Sequence, residues 1–133
     1  MIQLATLTDF AATIEALMSR DSSSVLALAD IARERLRQLD QENWSPAHDD
    51  AHRRFEMAQA AGCYALHAIH ENSPSYRAAY APIAWPWSRE RWKPKSPVRD
   101  CVRAGALLVA ELARWNRQGA KAAGATADDG AGR

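Results

Sequence analysis

A chain of 133 residues is one domain long, and 47% hydrophobic residues supply a packed core without disulfide or metal staples. The formal net charge of +1 excludes a non-specific nucleic-acid binder, which needs a large basic excess, and equally an acidic mimic of DNA. The opening MIQLATLTDF carries an acid and no basic segment, and no apolar run nears the ~20 residues of a membrane span, so a cytoplasmic protein without a membrane partner is expected.

Apolar periodicity predicts an all-α, single-domain bundle of about four helices over residues 1–118, with no strand-like alternation anywhere. The first helix runs from about Thr8, its expected cap, to Arg20, with Phe10, Ile14, Leu17 and Met18 on one face. The second runs from about Ser24 to Asp40 and presents Val25, Leu28, Ile31, Ala32, Leu36 and Leu39.

A third helix is expected to open at Ser45-Pro46 and to continue unbroken to His70, because serine suits the cap, proline suits the first turn, and no further proline intervenes. Ala51, Phe55, Ala58, Gly62, Ala65 and Ile69 would then form a narrow seam of mostly small side chains. The fourth helix starts at Ser96-Pro97 and runs to about Gln118, its stripe being Val98, Cys101, Val102, Gly105, Leu108, Val109, Leu112 and Trp115. Residues 119–133 lack a large apolar side chain and read as a flexible tail. Cys63 and Cys101 show no zinc-type spacing and are expected as buried, reduced thiols.

Between the last two helices lies ENSPSYRAAYAPIAWPWSRERWKPKS, long for a connection and loaded with Tyr76, Tyr80, Trp85, Trp87 and Trp92. That aromatic load predicts an ordered loop packed across the helices. It has two readings: a small satellite core, or a lid whose tryptophans stack a base while Arg89, Arg91, Lys93 and Lys95 meet phosphates.

The stretch NWSPAHDDAH raises the question of chemistry. Asp49 and Asp50 are ordinary first-turn acids, favoured there by roughly 0.3–1 kcal/mol. On one continuous helix, however, Asp49, His52 and Glu56 would share a face, with His48 one turn before His52 and with Glu34 and Gln38 approaching from the preceding helix. Carboxylates and imidazoles projecting from paired helices build divalent-metal sites. Asp49, His52 and Glu56 are thus candidate ligands for Mg²⁺ or another divalent metal, and His52 and Glu56 are candidate catalytic groups. Glu34, Gln38, His48, Asp50, Trp87, Trp92 and Lys93 are candidate ligand-binding residues. His67 and His70 read as surface or loop-packing histidines.

Read together, ERLRQLDQENWSPAHDDAH, FEMAQAAGCYA, WPWSRERWKP and RDCVRAGALLVAEL resemble a family of small uncharacterised proteins encoded by tailed phages and prophages. That family has the pattern ERxRQxxxEGWTxEHDDxH, then GELAxAAxxYA, WPW…WWKP and RDLVKAGALIxAEI, and the resemblance covers residues 31–117. It marks Glu34, Arg37, Gln38, Glu42, Trp44, His48, Asp49, Asp50, His52, Glu56, Trp85, Trp87, Trp92, Lys93, Arg99, Asp100 and Glu111 as pattern positions. Asn43 stands where the pattern has Gly, and Ala47 where it has Glu. The resemblance implies a host-cytoplasmic, phage-related setting and names no reaction.

Three functional expectations follow. One is a helical protein that binds a nucleotide-like small molecule with a divalent metal, or hydrolyses it, using acids drawn from Glu34, Asp49, Glu56, Asp100 and Glu111. Another is an anti-defence inhibitor of the anti-CRISPR type, which binds a host defence protein complex through Trp85, Trp87 and Trp92. The third, compatible with both, is a homodimer built on the second and fourth helices.

Overall fold

The computed structural model describes residues 4–42, 45–52 and 54–131. Among them the fold is all-α, with helices α1 (Leu4–Arg20), α2 (Ser22–Gln41), α3 (Pro46–Asp50), α4 (Glu56–His67) and α5 (Pro97–Ala131), and three short 3₁₀ turns. Helices α4 and α5 form the central pair, α2 packs on α5, and α1 packs on α2.

The starts of α3 and α5 follow the local chemistry. The Ser45 hydroxyl accepts from the His48 N–H at 3.1 Å and the Ser96 hydroxyl from the Arg99 N–H at 3.2 Å, each ahead of a proline in the first turn. Helix α2 begins earlier than expected, because Asp21 is its cap, accepting from the Ser24 N–H at 3.3 Å and the Ser24 hydroxyl at 2.5 Å. Thr8 does not cap α1. The helix starts at Leu4, and the Thr8 hydroxyl donates back to the Leu4 carbonyl.

The expected long third helix is broken in two. Phe55 sits in the left-handed region at φ 62°, and Glu56 opens α4, its carboxylate accepting from the Arg54 N–H at 2.9 Å. Left-handed backbone is uncommon for a bulky residue. Here long-range contacts hold it: the Phe55 ring stacks on Trp115 at 5.3 Å, and the Asp49 and Asp50 carboxylates pair with Arg35 and Arg117. The break also changes the phase of the helix. Met57, Ala60, Ala61, Cys63 and Tyr64 form the buried face of α4, while Gly62, Ala65 and Ile69 of the expected seam lie open.

The core unites that face with Ala104, Leu107 and Ala110 of α5 and with Trp85 and Trp92 of the connecting segment. The segment is ordered and packed across the helices, as its composition predicts. Tyr64 stacks on Trp92 at 4.9 Å, and Trp85 meets both rings edge-on at 5.4 and 5.1 Å. Each indole finds an acceptor: Trp85 donates to the Ser88 carbonyl at 3.0 Å and Trp92 to the Ala79 carbonyl at 3.2 Å. His67 packs beneath the segment on Tyr76 and Trp92, its Nε2 2.8 Å from the Tyr76 carbonyl oxygen.

Helix α5 continues through the stretch expected as a tail, to Ala131; the segment is rich in alanine, the strongest helix former. Its buried positions are Asp100, Ala104, Ala106, Leu107, Ala110, Glu111 and Arg114, whereas Leu108, Leu112 and Trp115 of the expected stripe are largely exposed. The thiols divide: Cys63 is buried and burial pushes its pKa up, but Cys101 is exposed, contrary to expectation. No helix among the described residues is long and apolar enough to cross a membrane.

Helices α2 and α5 approach closely at Gly105, where an added Cβ would lie 2.6 Å from Ile31 Cδ1 and 2.9 Å from Cγ1. Gly105→Val should destabilise the chain by about 1–3 kcal/mol through overpacking. Combining it with Ile31→Ala should return part of that loss. Chemical denaturation of both singles and the double variant checks this; strict additivity would contradict the contact.

Candidate functional site

Four buried carboxylates, Glu34, Asp49, Asp100 and Glu111, join elements of the fold, and each is matched by donors. Glu34, buried on α2, binds Arg37 through two hydrogen bonds of 2.8 Å and also accepts from Arg99 of α5. Asp49, fully buried on α3, meets Arg35 at 2.5 Å and His48 Nδ1 at 3.1 Å. Asp100 accepts from the Tyr76 hydroxyl at 2.7 Å and from the Lys95 N–H at 3.1 Å, which ties the connecting segment to α5. Glu111 accepts from Arg114 at 2.8 Å and from the Ala58 N–H at 3.3 Å.

The electrostatic consequences follow from these contacts. Burial alone would raise the Glu34 pKa; the hydrogen bonds and charges of Arg37 and Arg99 outweigh it and hold the carboxyl below its ordinary 4.5. Arg37 is held further on its cationic side, chiefly by its hydrogen bonds to Glu34. Burial, then the bond to Asp100, pushes the Tyr76 hydroxyl up.

These pairings alter the expected metal site. Asp49, His52 and Glu56 do not share one helical face, because α3 ends at Asp50 and α4 starts anew at Glu56. Asp49 turns to Arg35, while His52 Nδ1 lies 3.3 Å from Glu56 Oε2. Among the described residues no three His, Cys, Asp or Glu side chains are grouped to hold a metal ion. Glu34, Asp100 and Glu111 are likewise held in separate contacts with arginine, tyrosine or backbone N–H groups rather than gathered as an acidic cluster.

The structure does bring many of the candidate residues together around a cavity of about 530 Å³. From α2 come Glu34, Arg37, Gln38 and Glu42; from the HDDAH stretch, His48 and His52; from the connecting segment, Trp85, Trp87, Ser88, Glu90, Arg91 and Lys93. Tyr64, Arg103 and Leu107 complete the lining. The two imidazoles meet edge to face at 4.9 Å, and the His52 ring lies 5.4 Å from the Trp87 indole, so WPW and HDDAH form adjoining walls.

Of the expected ligand-binding residues, Glu34, Gln38, His48, Trp87 and Lys93 line the cavity, as does the candidate catalytic His52. Trp92 is a core residue behind Tyr64, Asp50 pairs with Arg117 at 2.8 Å, and Glu56 reaches the cavity only through His52. Trp44 lies outside the described residues.

Arg91 and Lys93 make no ion pair among the described residues, in contrast to Arg35, Arg37 and Arg114. Arg103 was missed in the sequence. Its guanidinium lies 4.9 Å above the Tyr64 ring and donates to the Lys93 carbonyl at 2.7 Å, beside Asp100 at 3.6 Å. The spacing Asp100-Cys101-Val102-Arg103, one helical turn between acid and base, is the signal that would have found it. Comparisons with protein-family models, with curated proteins and with solved structures find no match for this chain.

The lowered Glu34 pKa sets a pH dependence. A carboxyl depressed in the folded state contributes stability that is present above its unfolded value, near 4.5, and is lost as pH falls through the folded value. Glu34→Gln should cost about 2–3 kcal/mol at neutral pH, less than the ~3–5 of a fully buried pair because both arginines are about a third exposed. It should also flatten the fall in stability below pH 4.5; urea melts across that range check both effects.

Proposed function

We propose that the cavity binds a small nucleotide-like anion, its planar ring against the Trp85–Trp87 wall and its phosphate among Arg91, Lys93 and Arg103. The observation that carries this reading is the meeting of Arg91 and Lys93, which make no ion pair among the described residues, with an indole wall in one concave site that Glu90 also lines. Stacking on indole suits any base, and guanidinium and ammonium groups suit phosphate oxygens. The volume is in the range of small-molecule pockets.

His52 adds a group for proton transfer. Its Nδ1 faces the Glu56 carboxylate, which orients the ring, and the imidazole borders the cavity. Hydrolysis of the bound molecule would use His52 as base and Glu56 as its positioning partner. Any Mg²⁺ would arrive on the nucleotide's own phosphates rather than in a three-ligand protein site.

A second reading, inhibition of a host defence complex by protein–protein binding, draws support from another surface. Phe55 and Trp115 are about half exposed, stacked, and backed by the Arg114 guanidinium 5.0 Å from the Trp115 ring. Aromatic and arginine side chains so placed have interface hot-spot chemistry. The resemblance to phage and prophage proteins suits both readings.

The test is calorimetric titration of the chain with nucleoside mono-, di- and triphosphates, with and without Mg²⁺. Trp87→Ala should weaken binding by about 1–3 kcal/mol, roughly 5- to 150-fold. Lys93→Ala should weaken it and reduce its salt dependence. His52→Gln should leave affinity nearly intact while abolishing any turnover. Failure of every nucleotide to bind the parent chain would overturn the reading.

A further inference from the structure

One side chain of the cavity wall does not fit a purely structural role. Gln38 is 2% exposed and lines the cavity one helical turn beyond Glu34 on α2. Its Oε1 is buried and accepts no hydrogen bond from any described residue. Buried amide oxygens are nearly always paired, because an acceptor taken out of water and left unmet costs stability. An apolar side chain of the same shape, such as methionine, would fill this place on a helix without that cost.

The neighbours of Gln38 decide which end of the amide is on offer. Its Nε2 donates to Glu34 Oε1 at 3.5 Å. The Glu34 carboxylate can only accept, so turning the amide over would set two acceptors against each other. The nitrogen end is therefore committed to Glu34, and the oxygen end is what Gln38 presents to anything else. That bond is at the long limit for a hydrogen bond, so the amide is lightly held and can tilt toward a better donor. The other acceptors that α2 brings to the cavity are engaged: Glu34 by Arg37 and Arg99, and Glu42 by Arg37 at 2.8 Å. Glu90, on the connecting segment, is exposed and open to water. Gln38 Oε1 is thus a buried acceptor in the cavity wall that lacks a protein donor.

We infer that Gln38 reads the base of the bound nucleotide: its Oε1 accepts from an exocyclic amino group, so that adenine or cytosine is taken in preference to the oxo counterparts hypoxanthine and uracil. This rests on the nucleotide reading of the cavity and adds its specificity. Stacking on the Trp85–Trp87 wall is indifferent to the identity of the base, and contacts to phosphate carry no information about it. Discrimination has to come from the base edge. Side-chain amides read adenine with both ends; with the nitrogen held by Glu34, the oxygen remains for the amino group. An oxo group in the same place would bring a second acceptor to Oε1 and leave both unmet.

The experiment is calorimetric titration with two matched pairs, adenosine against inosine phosphates and cytidine against uridine phosphates, at the phosphate length that binds best. In at least one pair the amino member should bind the parent about 5- to 150-fold more tightly, the range for one buried acceptor left unmet. Gln38→Met should remove that preference while the chain still folds and still binds the oxo member. Should Gln38→Met not fold, the parent decides with purine riboside phosphate, which has neither group. It should bind between the adenosine and inosine forms, since it forfeits the hydrogen bond without opposing two acceptors. Equal affinity within both pairs would overturn the inference and leave the nucleotide site standing. So would a preference that survives Gln38→Met, or purine riboside phosphate binding as tightly as the adenosine form. Failure of every nucleotide to bind would overturn both.

Discussion

Buried carboxylates matched to their donors are the constraint on which this structure depends. Taking an acid out of water costs several kcal/mol unless a cation or several donors meet it. Here such an acid sits at four junctions: Glu34 where α2 meets α5, Asp49 where α3 meets α2, Asp100 where the connecting segment meets α5, and Glu111 where α4 meets α5. Apolar contacts supply the driving force, as in any domain, but a ring of alanines tolerates many helix registers. A carboxylate that must find its arginine or its N–H tolerates few. Specific geometry therefore resides in the polar joints and bulk stability in the aromatic core.

That division explains what was legible in the sequence. The helical class, the capped starts at Ser45-Pro46 and Ser96-Pro97, and the ordered aromatic segment rest on local chemistry, and all are found. The misreadings share one cause. The apolar stripes on the second and last helices are not their buried faces: Glu34 and Gln38 are the buried residues of α2, and Asp100, Glu111 and Arg114 lie buried on α5. Periodicity counts apolar side chains and has no means of recognising that a charged one is inside with its partner. The broken third helix is the same failure at short range: nothing between Asp50 and Glu56 signals a break, because the distant Arg35, Arg117 and Trp115 impose it.

The candidate site was legible as a collection and not as a geometry. His48, His52, Glu34, Gln38, Trp87 and Lys93 do border one cavity, as their clustering suggested. Their roles shift, because the acids are satisfied by arginines and other donors before any ligand arrives. Arg91, Lys93 and Glu90 line the cavity without an ion pair among the described residues, beside the Trp85 and Trp87 indoles.

The contrast between the two thiols has a practical side. Cys63 sits inside the α4–α5 core with its ionisation suppressed, and only the thiolate reacts at a useful rate. Cys101 stands exposed on α5 and does not border the cavity. The native chain thus carries a built-in handle for a maleimide dye or spin label, attached without mutagenesis and without occupying the cavity. Reaction at Cys63 would report on opening of the core, so the ratio of the two labelling rates makes the unmodified protein its own gauge of intactness.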